Sequence, residues 1–115
     1  MTLEKIEKEH FVYINYSRQG YKDVDLFRAT LAAFRSEAGS EKDIVIDFGN
    51  SRYLTSPEIG SMIRLAQGLV EKSRILRIIP CEELYRQLSS LNLTHLDHLM
   101  IYKNRDEFAE QLKKM

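Results

Sequence analysis

The sequence predicts an α/β fold, a small mixed and mostly parallel sheet with helices packed against it. Two observations carry this. Short apolar or β-branched runs at residues 11–16, 44–46, 75–79 and 98–102 alternate with longer stretches whose apolar residues recur at helical spacing. Strands separated by helices need crossover connections, which set the later strands parallel and lay the helices on the sheet.

The elements follow in order. The run 11–16 is β-branched and aromatic, and it is closed by the turn residues Ser17-Arg18-Gln19-Gly20. Residues 2–7 are expected to pair with it. From Asp25 to Ala38 the residues Leu26, Phe27, Thr30, Leu31 and Phe34 mark a helix, with Gly39 where a terminating glycine belongs. Ile44-Val45-Ile46 is a continuous apolar run of the kind found in a central strand covered on both faces. Ile59, Met62, Ile63, Ala66, Leu69 and Val70 then form one face of a helix, with Glu58, Arg64, Gln67, Glu71 and Lys72 on the other.

Residues 75–79 give the next strand, stopped by Pro80. Cys81-Glu82-Glu83-Leu84 opens a helix with its acids in the first turn, and Leu84, Leu88 and Leu91 form its stripe. Residues 98–102 form the last strand. Asn104-Arg105-Asp106-Glu107 resembles a capping box with Asn in place of Ser or Thr, opening a terminal helix with Phe108 and Leu112 inside.

Composition narrows the class. The 115 residues suit one domain spanning the whole chain, 1–115, and 17 basic against 17 acidic residues leave no net field to attract nucleic acid or anionic lipid. A single cysteine, Cys81, excludes an internal disulfide and fits a reducing compartment, so the cytoplasm is the expected location. No apolar run approaches the roughly 20 residues needed to span a bilayer, and the charged start has no signal-peptide core.

The order of elements over residues 7–112 resembles the STAS domain, the module of sulfate transporters and bacterial anti-sigma factor antagonists. The local match lies in Ile44-Val45-Ile46-Asp47-Phe48, Tyr53-Leu54-Thr55-Ser56 and Ile59-Gly60. In that family the helix opens with a motif close to Asp-Ser-Ser-Gly-Leu-Gly, and its second serine is phosphorylated by a partner kinase that is also the anti-sigma factor. This chain has Thr55-Ser56-Pro57-Glu58-Ile59-Gly60, so the acceptor position falls on Pro57, which has no hydroxyl. The resemblance implies a single STAS-like domain that is not an enzyme, docking on a kinase-like anti-sigma factor in a partner-switching system. Thr55, Ser56, Pro57, Glu58, Gly60, Ser61 and Arg64 would form the partner-binding corner, and Ser56 or Thr55 would be the phospho-acceptor.

The same residues have a plainer reading. Ser56 as N-cap with Pro57 at the first helical position is a preferred helix start, and Thr55 with Glu58 also fits the T-x-x-E capping box. Capping and modification are compatible. Glu58 places a permanent charge in the first turn, beside the spot where relatives carry a removable one, although compensation of the helix dipole explains it more simply.

Other sites are weaker. His95, Asp97 and His98 crowd three metal-capable side chains into four residues at a spacing that matches no strong motif, so a solvated loop is the expectation and no metal or cofactor is assigned. Cys81 has a helix N-terminus beside it but two acids after it, which favours packing or capping over reactivity. The scattered glycines build neither a phosphate loop nor a dinucleotide fingerprint. Arg18, Lys22, Arg35, Arg74 and Arg77 lie among acids and read as solvated surface rather than a nucleic-acid footprint. Two alternatives to partner switching stand: a STAS subunit docked on a membrane transporter ATPase, and a small ligand-binding or metal-binding protein using residues 95–98. An exposed helix face also suffices for a homodimer.

Overall fold

The middle of the sheet is β3, Asp43–Asp47, whose Ile44, Val45 and Ile46 are all buried because both faces are covered. A computed structural model of the chain describes residues 3–7, 11–16, 21–36, 43–49, 51–71, 73–96 and 99–113. Strand β3 pairs in parallel with β2, Phe11–Tyr16, and with β4, Leu76–Ile79; Ile46 stands between Ile14 and Ile78. Strand β5, Leu99–Ile101, adds in parallel to β4. The expected N-terminal partner forms as β1, Leu3–Glu7, antiparallel to β2 with Glu7 opposite Val12. The five strands thus stand in chain order, β1-β2-β3-β4-β5.

That order fixes where the helices go. Parallel strands laid down without reversal, joined by crossovers of one hand, put every crossover helix on the same face. Val12, Ile14, Tyr16, Ile44, Ile46, Leu76 and Ile78 line that face and pack against α1 (Tyr21–Ser36), α2 (Ser56–Val70) and α3 (Glu82–Ser90). The alternate residues Phe11, Val45 and Ile79, with Tyr102, form a smaller cluster on the opposite face, filled by Phe108 of α4 (Arg105–Lys113). No helix among the described residues is long and apolar enough to cross a membrane.

Several details differ from the sequence pattern. Helix α1 begins at Tyr21 rather than Asp25 and buries Val24, Phe27 and Leu31, which share a stripe, while Leu26 lies one step round and is exposed. Gly39 lies outside the described residues, as does the Phe34 side chain. The buried stripe of α2 is Glu58, Ser61, Met62, Leu65, Ala66 and Leu69, rotated from the expected one, so Val70 is exposed and Ile59 and Ile63 sit at its margin. Leu91 falls just beyond α3 and is exposed; the chain turns at Asn92 in a left-handed conformation and continues as a single 3-10 turn, Leu93–His95, that buries Leu93 instead. Asn104 caps α4 as expected, accepting from the Glu107 amide at 2.9 Å, but Leu112 is exposed because Phe108 alone fills the patch beneath.

Candidate functional site

Strand β3 ends in a polar anchor. Asp47 is 1% exposed, and its Oδ1 accepts from the Gly49 amide at 2.8 Å, turning the chain off the sheet. Gly49 has φ +56°, a conformation that costs other residues about 1–2 kcal/mol. Its other carboxylate oxygen, Oδ2, receives Arg105 Nη2 from α4 at 2.6 Å and the Tyr13 hydroxyl from β2. The Arg105 guanidinium is held above its ordinary pKa first by its hydrogen bond to Asp47 and then by that carboxylate's charge. One buried carboxylate therefore ties together β2, the loop that leaves β3, and the last helix.

The loop from Ser51 to Thr55 is pinned rather than free. Leu54 donates its N–H to Gln87 Oε1 at 2.8 Å and accepts from Gln87 Nε2 at 3.0 Å, so one side-chain amide of α3 replaces a strand partner for that residue. Cys81 Sγ donates to the Ser51 carbonyl at 3.2 Å. Cys81 stands at the N-cap position of α3 without a side-chain capping bond, and it packs against the core beside this contact. Glu83 beside it has its carboxyl lowered, chiefly by its own backbone amide and then by the Cys81 thiol.

Thr55 is the N-cap of α2, and the Thr55–Glu58 capping box forms in both directions. Thr55 Oγ1 accepts from the Glu58 amide at 3.4 Å, and Glu58 Oε1 accepts from Thr55 N at 2.8 Å and from Thr55 Oγ1 at 2.9 Å. Ser56 is therefore the first helical residue and not the cap. Glu58, expected on the polar face, is 0% exposed and points into the protein, where Tyr16 Oη donates to Oε2 at 2.8 Å. Its charge is spent inward on a cap and a tyrosine, so it does not present a fixed negative charge to the outside.

The residues expected at the docking corner thus divide. Ser56, Pro57 and Arg64 are exposed, Thr55 and Gly60 are half-buried, and Glu58 and Ser61 are interior, with Ser61 Oγ donating to the Pro57 carbonyl at 2.9 Å. Lys72 lies outside the described residues. Of the two candidate hydroxyls, Thr55 is engaged in the box while Ser56 stands at the surface. Tyr53, part of the local family match but not among the residues expected at the corner, adds an aromatic ring 59% exposed on the same loop.

Arg77, read as solvated surface, is half-buried and paired: its Nη2 lies 3.2 Å from Asp43 Oδ2 and its Nη1 donates to Tyr102 Oη at 2.7 Å. Of the His95, Asp97 and His98 cluster, only the backbone of His95 falls within the described residues, and no group of metal-capable side chains occurs among those residues.

No family model matches the sequence, and no curated protein matches it. Solved structures do share its fold. The crystal structure of TM1081 from Thermotoga maritima, named as an anti-sigma factor antagonist, superposes with a TM-score of 0.76 over 96% of this chain and 94% of that one, at 16% identity. The NMR structure of the same protein gives 0.69 over 96% and 88%, also at 16%. A serine-to-glutamate variant of RsbS from Moorella thermoacetica gives 0.71 over 97% and 95%, at 12%. The likeness is one of fold: this chain has the STAS fold, the α/β architecture of anti-sigma factor antagonists.

Proposed function

We propose that this chain is a non-enzymatic interaction module of the anti-sigma factor antagonist kind, working in the cytoplasm by docking its α2 corner on a kinase-type anti-sigma factor. The observation that supports it best is the exposed Ser56–Pro57 pair on a corner held from beneath by Gln87, Thr55, Glu58 and Tyr16. A surface that is already ordered loses little conformational entropy when a partner binds. Pro57 occupies the position of the family's acceptor serine and has no hydroxyl. Regulation therefore falls to Ser56, whose Oγ would take the γ-phosphoryl group of ATP, losing its proton and releasing ADP. The added charge would sit beside α2's first amides and repel an acidic partner surface.

The test is capture by the immobilised full chain from lysate of its own organism, followed by binding measurements on what is retained. A histidine-kinase-like ATPase is the expected partner, with Ser56→Glu weakening it at least about tenfold and Ser56→Ala leaving it nearly unchanged. One observation favours a second reading: without a hydroxyl at position 57, a STAS subunit docked on a transporter ATPase needs no phosphorylation. Retention of such an ATPase, with no effect of Ser56→Glu, would replace the first reading.

A further inference from the structure

A cleft of about 280 Å³ opens between α1 and α2, below the roughly 300–1,000 Å³ typical of sites for whole small molecules. It exists because α1 presents Ala29 and Ala32 where larger side chains would close the seam, and Leu65 of α2 supplies an apolar wall. Arg28 and Arg64 stand on opposite sides of it. Neither has an ion-pair partner among the described residues, unlike Arg77, Arg86 and Arg105, each of which is paired. Asp25 also lines the cleft but lies outside ion-pair distance of both, so the mouth carries two positive groups against one negative in a chain that is neutral as a whole.

The Arg64 guanidinium is folded back along α2, with Nη1 3.6 Å from the place a Cβ on Gly60 would take. The arginine thus lies over the first turn of the helix, within van der Waals reach of position 60. Two arginines lining a partly apolar cleft match a carboxylate carried on an aliphatic stem, because a planar guanidinium fork can take both oxygens of a carboxylate.

We infer that the cleft between α1 and α2 seats an acidic side chain from a helix of the docked protein, held between Arg28 and Arg64. The inference rests on the interaction-module reading and extends its surface from α2 onto α1.

The experiment titrates the isotope-labelled full chain by NMR with an acetylated helical peptide of about fifteen residues carrying one glutamate followed four residues later by leucine. The same peptide with glutamine, and inorganic phosphate alone, are the comparators. The expected result is amide shifts at Arg28, Ala29, Ser61 and Arg64, binding by the glutamine peptide about tenfold weaker, and a loss of about tenfold with Arg64→Gln or Arg28→Gln. Arg64→Lys, which keeps the charge and loses the fork, falls between. Equal binding of both peptides, shifts confined to other elements, or the same shifts from phosphate while the peptides give none would overturn the inference. Because no anti-sigma factor takes part, this result stands or falls separately from the capture experiment.

Discussion

Tyr16 Oη donates to Glu58 Oε2 at 2.8 Å, with neither residue exposed to solvent, joining the end of β2 to the first turn of α2. The tyrosine is itself held by stacking on Phe27, ring centroids 4.3 Å apart, and by an edge contact with Phe48 at 6.1 Å. The candidate docking corner therefore rests on the aromatic core, and its shape depends on an ionisable group that faces inward.

Removing that group tests the dependence. Glu58→Ala deletes the reciprocal half of the capping box and leaves the buried Tyr16 hydroxyl without this acceptor; losses of about 1 kcal/mol for the cap and about 1–3 kcal/mol for the buried hydroxyl are expected to combine. Glu58→Gln keeps an acceptor and the shape, and is expected to cost less than half as much. Urea denaturation of the two variants against the parent checks the order. Equal losses would mean that the carboxylate itself, and not the shape or a single acceptor, carries the effect at this position.

How far the sequence could show this is uneven. Ile44-Val45-Ile46 identified the central strand, and Thr55-x-x-Glu58 identified the helix start, because both depend on residues close in the chain. The inward turn of Glu58 depends on Tyr16, 42 positions away, and a periodicity that counts every glutamate as polar places it on the outside. The Asp47–Arg105 pair spans 58 positions, so nothing local marks either residue as a partner. The exposure of Leu26 and Val70 has the same cause, since each sits near the margin of a stripe and only packing decides which side is covered, whereas Leu91 is exposed because α3 ends before it.

Gln87 is expected to control the order of the loop before α2. Its amide makes two hydrogen bonds to Leu54, and Gln87→Ala removes both while creating no clash. A loss of about 1–2 kcal/mol follows from two neutral bonds in a partly buried setting. The sharper readout is hydrogen exchange: the Leu54 amide should lose protection by a larger factor than amides in β3, because only the loop has lost its anchor. A uniform loss across β3 and the loop would mean that Gln87 acts on global stability alone.

The Asp47–Arg105 bridge is asymmetric, with the carboxylate buried and the arginine side chain 66% exposed. Asp47→Ala removes the acceptor shared by the Tyr13 hydroxyl, the Gly49 amide and Arg105, and is expected to cost about 3 kcal/mol, because part-buried donors lose a charged acceptor. Arg105→Ala removes one solvent-screened donor and should cost only about 1 kcal/mol. The sign of the pH dependence follows from the raised Arg105 pKa. A cation whose folded-state pKa is raised contributes its full stabilisation below its unfolded value and loses it only as pH rises through the folded one. Both values lie far above neutrality, so the difference between the parent and Arg105→Ala should be flat from about pH 6 to pH 9. Denaturation at those two pH values measures it.

Gly60 separates helix stability from the geometry of the exposed face. A Cβ there meets only the Arg64 guanidinium, at 3.6–3.9 Å, which is ordinary contact. The residue is mid-helix, where alanine is favoured over glycine by about 1 kcal/mol, so Gly60→Ala should stabilise the chain by about 0.5–1 kcal/mol. Arg64 should keep its place, because its flexible end can yield by a few tenths of an ångström. Gly60→Leu is different: a branched side chain would occupy the space where the guanidinium now lies and turn Arg64 away from the first turn of α2. Thermal unfolding of both variants, with chemical shifts of the Arg64 side chain, distinguishes the cases. Stabilisation by alanine with an unmoved Arg64, followed by a displaced Arg64 with leucine, would show that the arginine needs a small residue at this position but not glycine; a loss of stability with alanine would show a backbone constraint instead.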